Sequence, residues 1–376
     1  MRATWAEVDL GRLRHNVVAL RARLTGGAAL MAVVKADGYG HGAVPVARAA
    51  LDAGAVSLGV AILEEGLALR RAGLAAPILV LGWTPAERAA EVLAADLQQA
   101  VFRLEDAQAF AAAARAAGAD ARLHAKLDTG MGRLGWPVRT EAGQATAIRE
   151  VAAIAGLRGV ELVGLFTHFA GADEPDLAPA RRQLAAFRAV SDGLAARGVR
   201  PAVRHCANTA ALLRLPEAHF ELCRAGIGLY GYGPWPPAAA ELLPVLSWHT
   251  RVAFLKDLEA GDAVSYGGTY TAAARERVAT LPVGYADGLP RLLSGRGHVL
   301  VGEGVAPLLG RVCMDQVVAS VQGCGAVRQG DPVTILGEAA GGQQWADDLA
   351  AQVGTISYEI LCGLSPRVPR VYRGEA

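Results

Sequence analysis

The sequence predicts an α/β chain, a (β/α)8 TIM-type barrel followed by a mostly antiparallel β domain. Three observations lead there. Eight short apolar runs alternate with alanine-rich helical stretches through the first part of the chain. The rhythm breaks at Gly233-Pro234-Trp235-Pro236-Pro237. Beyond that break the chain consists of short, valine-rich runs separated by glycine turns. At 376 residues the chain exceeds one ordinary core, so we expect two domains, 1–236 and 237–376. A first strand near residues 4–9 could pair with the second domain.

The expected barrel strands are 30–34, 57–61, 78–81, 97–102, 121–127, 160–167, 203–206 and 220–223. Each is a short apolar run bounded by turn residues, as expected of a strand buried on both faces. Helical stretches at 44–53, 64–72, 104–117, 141–155 and 177–197 lie between them. Eight strands with intervening helices over this length favour a closed barrel over an open doubly wound sheet. In the second part, strands are expected at 245–256, 278–283, 298–301, 306–314, 317–321 and 332–336, with one helix near 345–353.

Composition narrows the function classes. Apolar residues make up 52% and charged residues 19%, a well-buried chain rather than a disordered one. A net charge of +1 with interspersed signs gives no electrostatic case for nucleic acid or an anionic membrane. Five scattered cysteines (Cys206, Cys223, Cys313, Cys324 and Cys362) form no CxxC pair, so reduced thiols are expected rather than disulfides or a metal site. The N-terminal segment lacks an apolar h-region and no apolar run is long enough to cross a bilayer. Together these point to a cytoplasmic protein.

The segment Ala32-Val33-Val34-Lys35-Ala36-Asp37-Gly38-Tyr39-Gly40-His41-Gly42 carries the most chemistry. A buried strand delivers one lysine at its end, and a glycine-rich turn comes next with a tyrosine and a histidine. A lone strand-end lysine is ordinarily solvated. An amine at the mouth of a strand beside hydroxyl and backbone donors, however, suits covalent capture of an aldehyde, and pyridoxal 5'-phosphate (PLP) is the aldehyde proteins usually hold so.

Residues at the C-terminal ends of barrel strands converge on one face. Lys35 ends strand one; Lys126 and Arg133 follow strand five; His168 ends strand six; Asn208 and Thr209 follow strand seven; and Arg224 to Gly231 follow strand eight. Loops after strands seven and eight commonly bind phosphate through backbone N–H groups. Gly226 permits close approach, Ile227 adds an amide, Thr209 offers a hydroxyl beside a helix start, and Tyr39 and Tyr358 add phenols.

Taken together, the motifs resemble the alanine racemase family along essentially the whole chain. The resemblance rests on the Lys35 segment, on Asp128-Thr129-Gly130-Met131-Gly132-Arg133-Leu134-Gly135 and on Thr167-His168-Phe169-Ala170. It continues through Val264-Ser265-Tyr266-Gly267, Leu281-Pro282-Val283-Gly284-Tyr285-Ala286-Asp287-Gly288, Gly310-Arg311-Val312-Cys313-Met314-Asp315 and Thr355-Ile356-Ser357-Tyr358-Glu359. It implies two-base PLP chemistry that interconverts L- and D-alanine, supplying D-alanine for peptidoglycan, in a homodimer. Lys35 would form the Schiff base with the cofactor and act as one base. Tyr266, from the partner subunit, would be the other. Arg224 would bond the pyridine nitrogen, with His168 supporting it. Tyr39, Asn208, Thr209, Gly226, Ile227 and Tyr358 would hold the cofactor. Arg133 and Met314 would hold the substrate carboxylate, Tyr285 and Asp315 would line the entrance, and Lys126 matches a position carbamylated in many relatives. No metal is implied.

The residue types suit that chemistry. Racemisation removes the Cα proton from one face and returns it on the other, so two bases flanking the carbon suffice. Arginine opposite the pyridine nitrogen leaves that nitrogen unprotonated, weakening the ring as an electron sink and favouring reprotonation over transamination. The departures are small: Thr209 replaces the commoner serine, Asp37-Gly38 the commoner Asn-Ala, and Ala225 a larger residue. The alternatives to alanine are a relative acting on serine, lysine or arginine, a non-catalytic PLP carrier, and a decarboxylase on the same plan.

Overall fold

The computed structural model describes residues 2–233 and 241–374. The expected domain boundary at 236–237 lies outside the described residues. Eight parallel strands form a nearly closed barrel: strands one to eight are Ala29–Val33, Ser57–Val60, Ile78–Val80, Gln98–Val101, Ala121–Asp128, Val160–Phe166, Val203–His205 and Leu222–Ala225. Strand eight pairs with strand one, Leu222 opposite Ala29 and Ala225 opposite Ala32. Between strand eight and the end of strand seven the backbone bond Arg224 N–H to Ala207 C=O, 3.0 Å, closes the ring. Strand one, ALMAV, is apolar throughout because parallel barrel strands are covered on both faces.

The alanine-rich helices use local signals expected of them. Thr140 caps the helix Glu141–Ala155 by accepting from the Gly143 amide, and Gly118 ends Leu104–Ala117 in the left-handed conformation. The expected helices at 44–53, 64–72, 104–117, 141–155 and 177–197 all form within a residue or two. Sequence periodicity misses five others: Leu10–Ala22, Lys35–Tyr39, Ala89–Ala94, Thr209–Arg214 and Ser357–Cys362. The last two are single-turn pieces too short to show a 3.6-residue period.

The C-terminal part is antiparallel. Its sheet runs in the order Phe254–Leu258, Glu276–Leu281, Val317–Ser320, Gly304–Leu309, His298–Val301, Pro332–Ala339, Leu246–Arg251, Trp5–Asp9 and Arg370–Arg373. The N-terminal strand Trp5–Asp9 is antiparallel to Leu246–Arg251 and parallel to Arg370–Arg373. Three expected runs are corrected. The eighth barrel strand, expected at 220–223, forms at Leu222–Ala225, because Phe220 takes a positive φ of 48°, so Arg224 lies within the strand rather than after it. Residues 245–256 break at Val252-Ala253 into two strands that enter different parts of the sheet. The run 306–314 ends at Leu309, because Gly310 takes a positive φ of 65° and turns the chain into the loop that carries Met314.

One apolar core runs through both parts, from Leu13, Val17 and Leu20 of the first helix to Tyr230, Leu246 and Trp248. Buried Asn16 joins them. Its amide nitrogen donates to the carbonyls of Leu229 (3.0 Å) and Leu243 (2.8 Å), and its oxygen accepts from the Leu243 amide (2.8 Å). Asn16→Ala orphans these backbone groups and should lower stability by about 3 kcal/mol. A denaturant titration showing no change in midpoint would contradict this.

Candidate active site

Immediately after barrel strand one the backbone turns left-handed. Ala36, Asp37, Gly38, Tyr39 and Gly40 have φ of 52°, 51°, 61°, 52° and 81°. For the three non-glycine residues this costs about 1–2 kcal/mol each, so surrounding contacts must hold the turn. The Val34 amide donates to the Gly59 carbonyl (2.9 Å), and the Asp37 carboxylate accepts from the Ala43 amide (2.8 Å), starting the next helix. A Cβ on Gly40 would fall onto the Leu361 carbonyl, so no side chain fits there. The turn delivers both Lys35 and Tyr39 to one cavity.

That cavity, about 350 Å³, opens at the C-terminal ends of the strands. It brings together Lys35, Tyr39, Lys126, Arg133, His168, Asn208, Thr209, Arg224, Gly226, Ile227 and Tyr358, which lie far apart in the sequence. Four of these are cationic, and Asp173 is the one carboxylate among the described lining residues. Lys126 belongs to strand five itself rather than coming after it, and its amine sits 5.8 Å from the centre of the Phe166 ring. Burial, then the Arg133 charge, pulls its pKa down to about 8. Burial first, then Arg133, also lowers Lys35. Arg133 is placed by the turn after strand five, where the Asp128 carboxylate accepts from the Gly130 and Gly132 amides (both 3.0 Å).

Both terminal nitrogens of Arg224 are held by acceptors. One terminal nitrogen donates to the His205 carbonyl (2.6 Å) and to His205 Nδ1 (2.9 Å); the other donates to the Thr167 and Cys206 carbonyls (2.8 and 3.0 Å) and meets His168 Nδ1 at 3.3 Å. Burial pulls the guanidinium down to about 10, still charged at neutral pH. Among the described residues no acceptor takes its Nε–H, which is left for the cavity.

Behind Arg224 stands a chain that sequence reasoning missed. His205 accepts at Nδ1, so its Nε2–H donates to His124 Nδ1 (2.9 Å), and His124 Nε2–H donates to Gln98 Oε1 (3.0 Å). Both imidazoles are neutral in this pattern, and burial holds His124 down to about 3 and His205 well below its usual value. Phe166 stacks on His205 at 4.6 Å.

The loop after strand eight forms a small cup. The Thr209 hydroxyl accepts from the Gly226 and Gly228 amides (3.0 and 3.4 Å), and a Cβ on Gly226 would lie 2.7 Å from the Tyr39 hydroxyl. Asn208 caps the helix Thr209–Arg214 by accepting from the Ala211 amide.

Tyr266, Met314 and Asp315 are not in this cavity. They line a second hollow on the β domain, of about 470 Å³, and Tyr266 is 71% exposed. Tyr285 lies beside them: its amide donates to the Cys313 carbonyl and that of Ala286 to the Met314 carbonyl, both 3.0 Å.

Comparison with known proteins agrees with this layout. Residues 8–234 match the family model for the alanine racemase N-terminal domain and residues 245–372 that for the C-terminal domain. The chain belongs to the alanine racemase family. An alanine racemase of Symbiobacterium thermophilum is 51% identical over 100% of this chain and 98% of its own length. One from Desulfosudis oleivorans is 47% identical over 98% of this chain and 96% of its own. Among solved structures, the alanine racemase of a D-cycloserine-producing Streptomyces lavendulae superposes with a TM-score of 0.93 at 43% identity, covering 100% of this chain and 98% of that one. The Bartonella henselae alanine racemase with covalently bound pyridoxal phosphate gives 0.88 at 26% identity, covering 98% and 99%.

A signal for Lys126 was present in the composition. Of 37 lysines and arginines only Lys35, Lys126 and Lys256 are lysines. Lysine is rare enough here for each one to merit inspection, although Lys256 is merely exposed on the strand Phe254–Leu258.

Burial holds four histidines neutral: His41 near 4, His124 near 3, and His205 and the half-buried His168 well below their usual value. Their folded pKa lies below the unfolded value. The stability they confer is therefore complete above about pH 6.5 and is lost as pH falls, by about 1.4 kcal/mol per pH unit per histidine. The denaturation midpoint should drop steeply from pH 7 to pH 4.5; a flat profile would show that these rings already carry protons when folded.

Proposed function

We propose that the barrel cavity is the active site of a PLP-dependent racemase that interconverts L-alanine and D-alanine and so supplies D-alanine for peptidoglycan. The observation that carries this reading is a lowered amine, Lys35, in one cavity with an arginine whose single uncommitted donor faces inward. The cavity residues fit the cofactor on their own chemistry. The cup at Gly226 admits no side chain, the surplus of cations suits a phosphate and a carboxylate, and the Arg224 Nε–H suits an acceptor such as an unprotonated ring nitrogen.

In this reading Tyr39, Asn208, Thr209, Gly226, Ile227 and Tyr358 hold the phosphate end. Arg224 bonds the ring nitrogen, held in place by His205 and His168. Lys35 would hold PLP, which when bound would supply the electron sink that makes the alanine Cα proton removable. Lys35 then moves a proton on one face of Cα. Burial, the largest cause, lowers its pKa and so makes the neutral, proton-accepting amine easier to reach. Arg133 and the Met314 backbone hold the substrate carboxylate. Lys126, near pH 8, has the neutral amine needed to combine with carbon dioxide, and its carbamate would pair with Arg133.

The opposite face needs a second group, and this reading already gives the tyrosines, Lys126 and His168 among the described cavity residues other roles. Tyr266 stands exposed on the β domain with Met314 (52% exposed) and Tyr285 (42% exposed) around it. We assign these to the partner's site: in a homodimer each β domain would cap the other subunit's barrel, bringing Tyr266 to the far face of Cα, with Tyr285 and Asp315 at the entrance. The same reading divides the chain into a barrel, 1–236, whose first strand Trp5–Asp9 joins the other sheet, and a β domain, 237–376, and assigns the protein to the cytoplasm. No described helix is long and apolar enough to cross a membrane.

With PLP added, purified protein should convert L-alanine to the racemate and fix solvent deuterium at Cα; protein that binds PLP but exchanges no deuterium would overturn the racemase reading. Lys35→Ala and Tyr266→Phe should each be inactive, and mixing the two under subunit exchange should restore activity through the one intact site of each heterodimer. No recovery after demonstrated exchange would contradict the shared site.

A further inference from the structure

Lys35 is fixed from both sides, and only one side is explained by the barrel. Before it, the last ladder bond ties Val34 to Gly59. After it comes Ala36, first residue of the left-handed turn, whose amide has no carbonyl partner in the barrel. Its acceptor is Glu65, half-buried on the helix Leu63–Arg71 that comes after strand two. Glu65 Oε1 accepts from the Ala36 amide at 2.6 Å, while Oε2 accepts from the amides of Ala61 (2.7 Å) and Ile62 (3.3 Å).

We propose that Glu65 is a positioning residue for Lys35, one carboxylate that locks the loops after strands one and two together and sets where the amine points. The inference rests on Lys35 acting as one of the two proton-transfer groups.

The division of labour between the two oxygens separates this role from ordinary helix capping. Oε2 alone completes the cap at Ile62, so the bond from Oε1 to Ala36 adds nothing to the helix. What it holds is a residue in a conformation that non-glycine residues avoid, directly bonded to Lys35. A carboxylate is required because all three partners are donors. Glutamine would turn an NH2 toward at least one of them, and aspartate is one methylene too short to span both loops. Glu65 also acts on the amine through its charge. Burial, then Arg133 and Arg224, lower Lys35, whereas Cys362 and Glu65 raise it; the Tyr39 ring lies 6.0 Å away. Glu65 thereby limits how far burial drives the amine down.

Three measurements on Glu65→Gln test this. In apoprotein given PLP, the midpoint pH of cofactor capture, followed by visible absorbance, should shift to lower pH. In holoenzyme, kcat should fall about 10–100-fold with KM for alanine little changed, the expected cost of a misplaced reacting group. In D2O the variant should place excess deuterium in unconverted substrate for one enantiomer only, because the Tyr266 face still exchanges while proton return on the Lys35 face is slow.

Ile62→Ser/Glu65→Gln controls for folding. Ile62 is 48% exposed with extended N-cap geometry, so serine there restores the cap without restoring the bond to Ala36. Thermal stability should recover while the kcat defect and the one-sided exchange persist. Recovery of kcat in the double variant, or an unshifted midpoint with symmetric exchange in Glu65→Gln, would overturn the proposal. Failure of wild-type enzyme to exchange either enantiomer would instead remove the two-base reading beneath it.

Discussion

The cavity gathers two lysines and two arginines against a single lining carboxylate, and much of the surrounding structure answers that imbalance. Like charges at close range in a partly buried site lower one another's proton affinity, and the four cations divide the consequence by type. The arginines stay charged and become fixed anchors for anionic or acceptor groups. The lysines are the members able to become neutral. Burial of Lys35 and Lys126 would be wasted, and costly, in a site meant only to attract an anion; it is what a nucleophile and proton carrier requires.

Rigidity then decides what the cavity can do. Arg224 cannot swing, because carbonyls from strands six and seven and two imidazoles occupy both of its terminal nitrogens. The neutral pair His205–His124, ending on Gln98, gives that arginine a directional backing without adding a third charge. On the other wall, a left-handed turn held by Asp37 and Glu65 fixes the amine. Tyr39 on the same turn reaches the cup at Gly226, so one local backbone feature places both the amine and the phenol at the cavity.

The parts of this site legible in the sequence are those encoded locally. The Lys35 turn announces itself through glycines at positions that need positive φ, and the turn before Arg133 through Asp128 and its glycines. The eight-strand rhythm was legible because buried parallel strands read as short apolar runs. What escaped is set by distant packing. His124 and His205 sit inside strands, and nothing in their neighbours shows that strands five and seven bring them within hydrogen-bonding distance. Glu65 looks like a helix-start acid, which it also is; its reach to Ala36 depends on the spacing of two barrel loops. Helices 209–214 and 357–362 are too short for periodicity to reveal, and the strand 245–256 was overextended because valine and phenylalanine continue past the bend at Val252. The role proposed for Tyr266 rests on resemblance alone, since its own chain leaves it exposed on a different face.

Catalysis on this plan requires, above all, a covalent bond to one of just three lysines. Reducing the PLP-loaded protein with borohydride and mapping the peptides by mass spectrometry tests it directly. The pyridoxyl group should appear on the peptide containing Lys35 and on neither of the peptides containing Lys126 and Lys256. Label on either of those, or no label with bound cofactor present, would contradict the central claim.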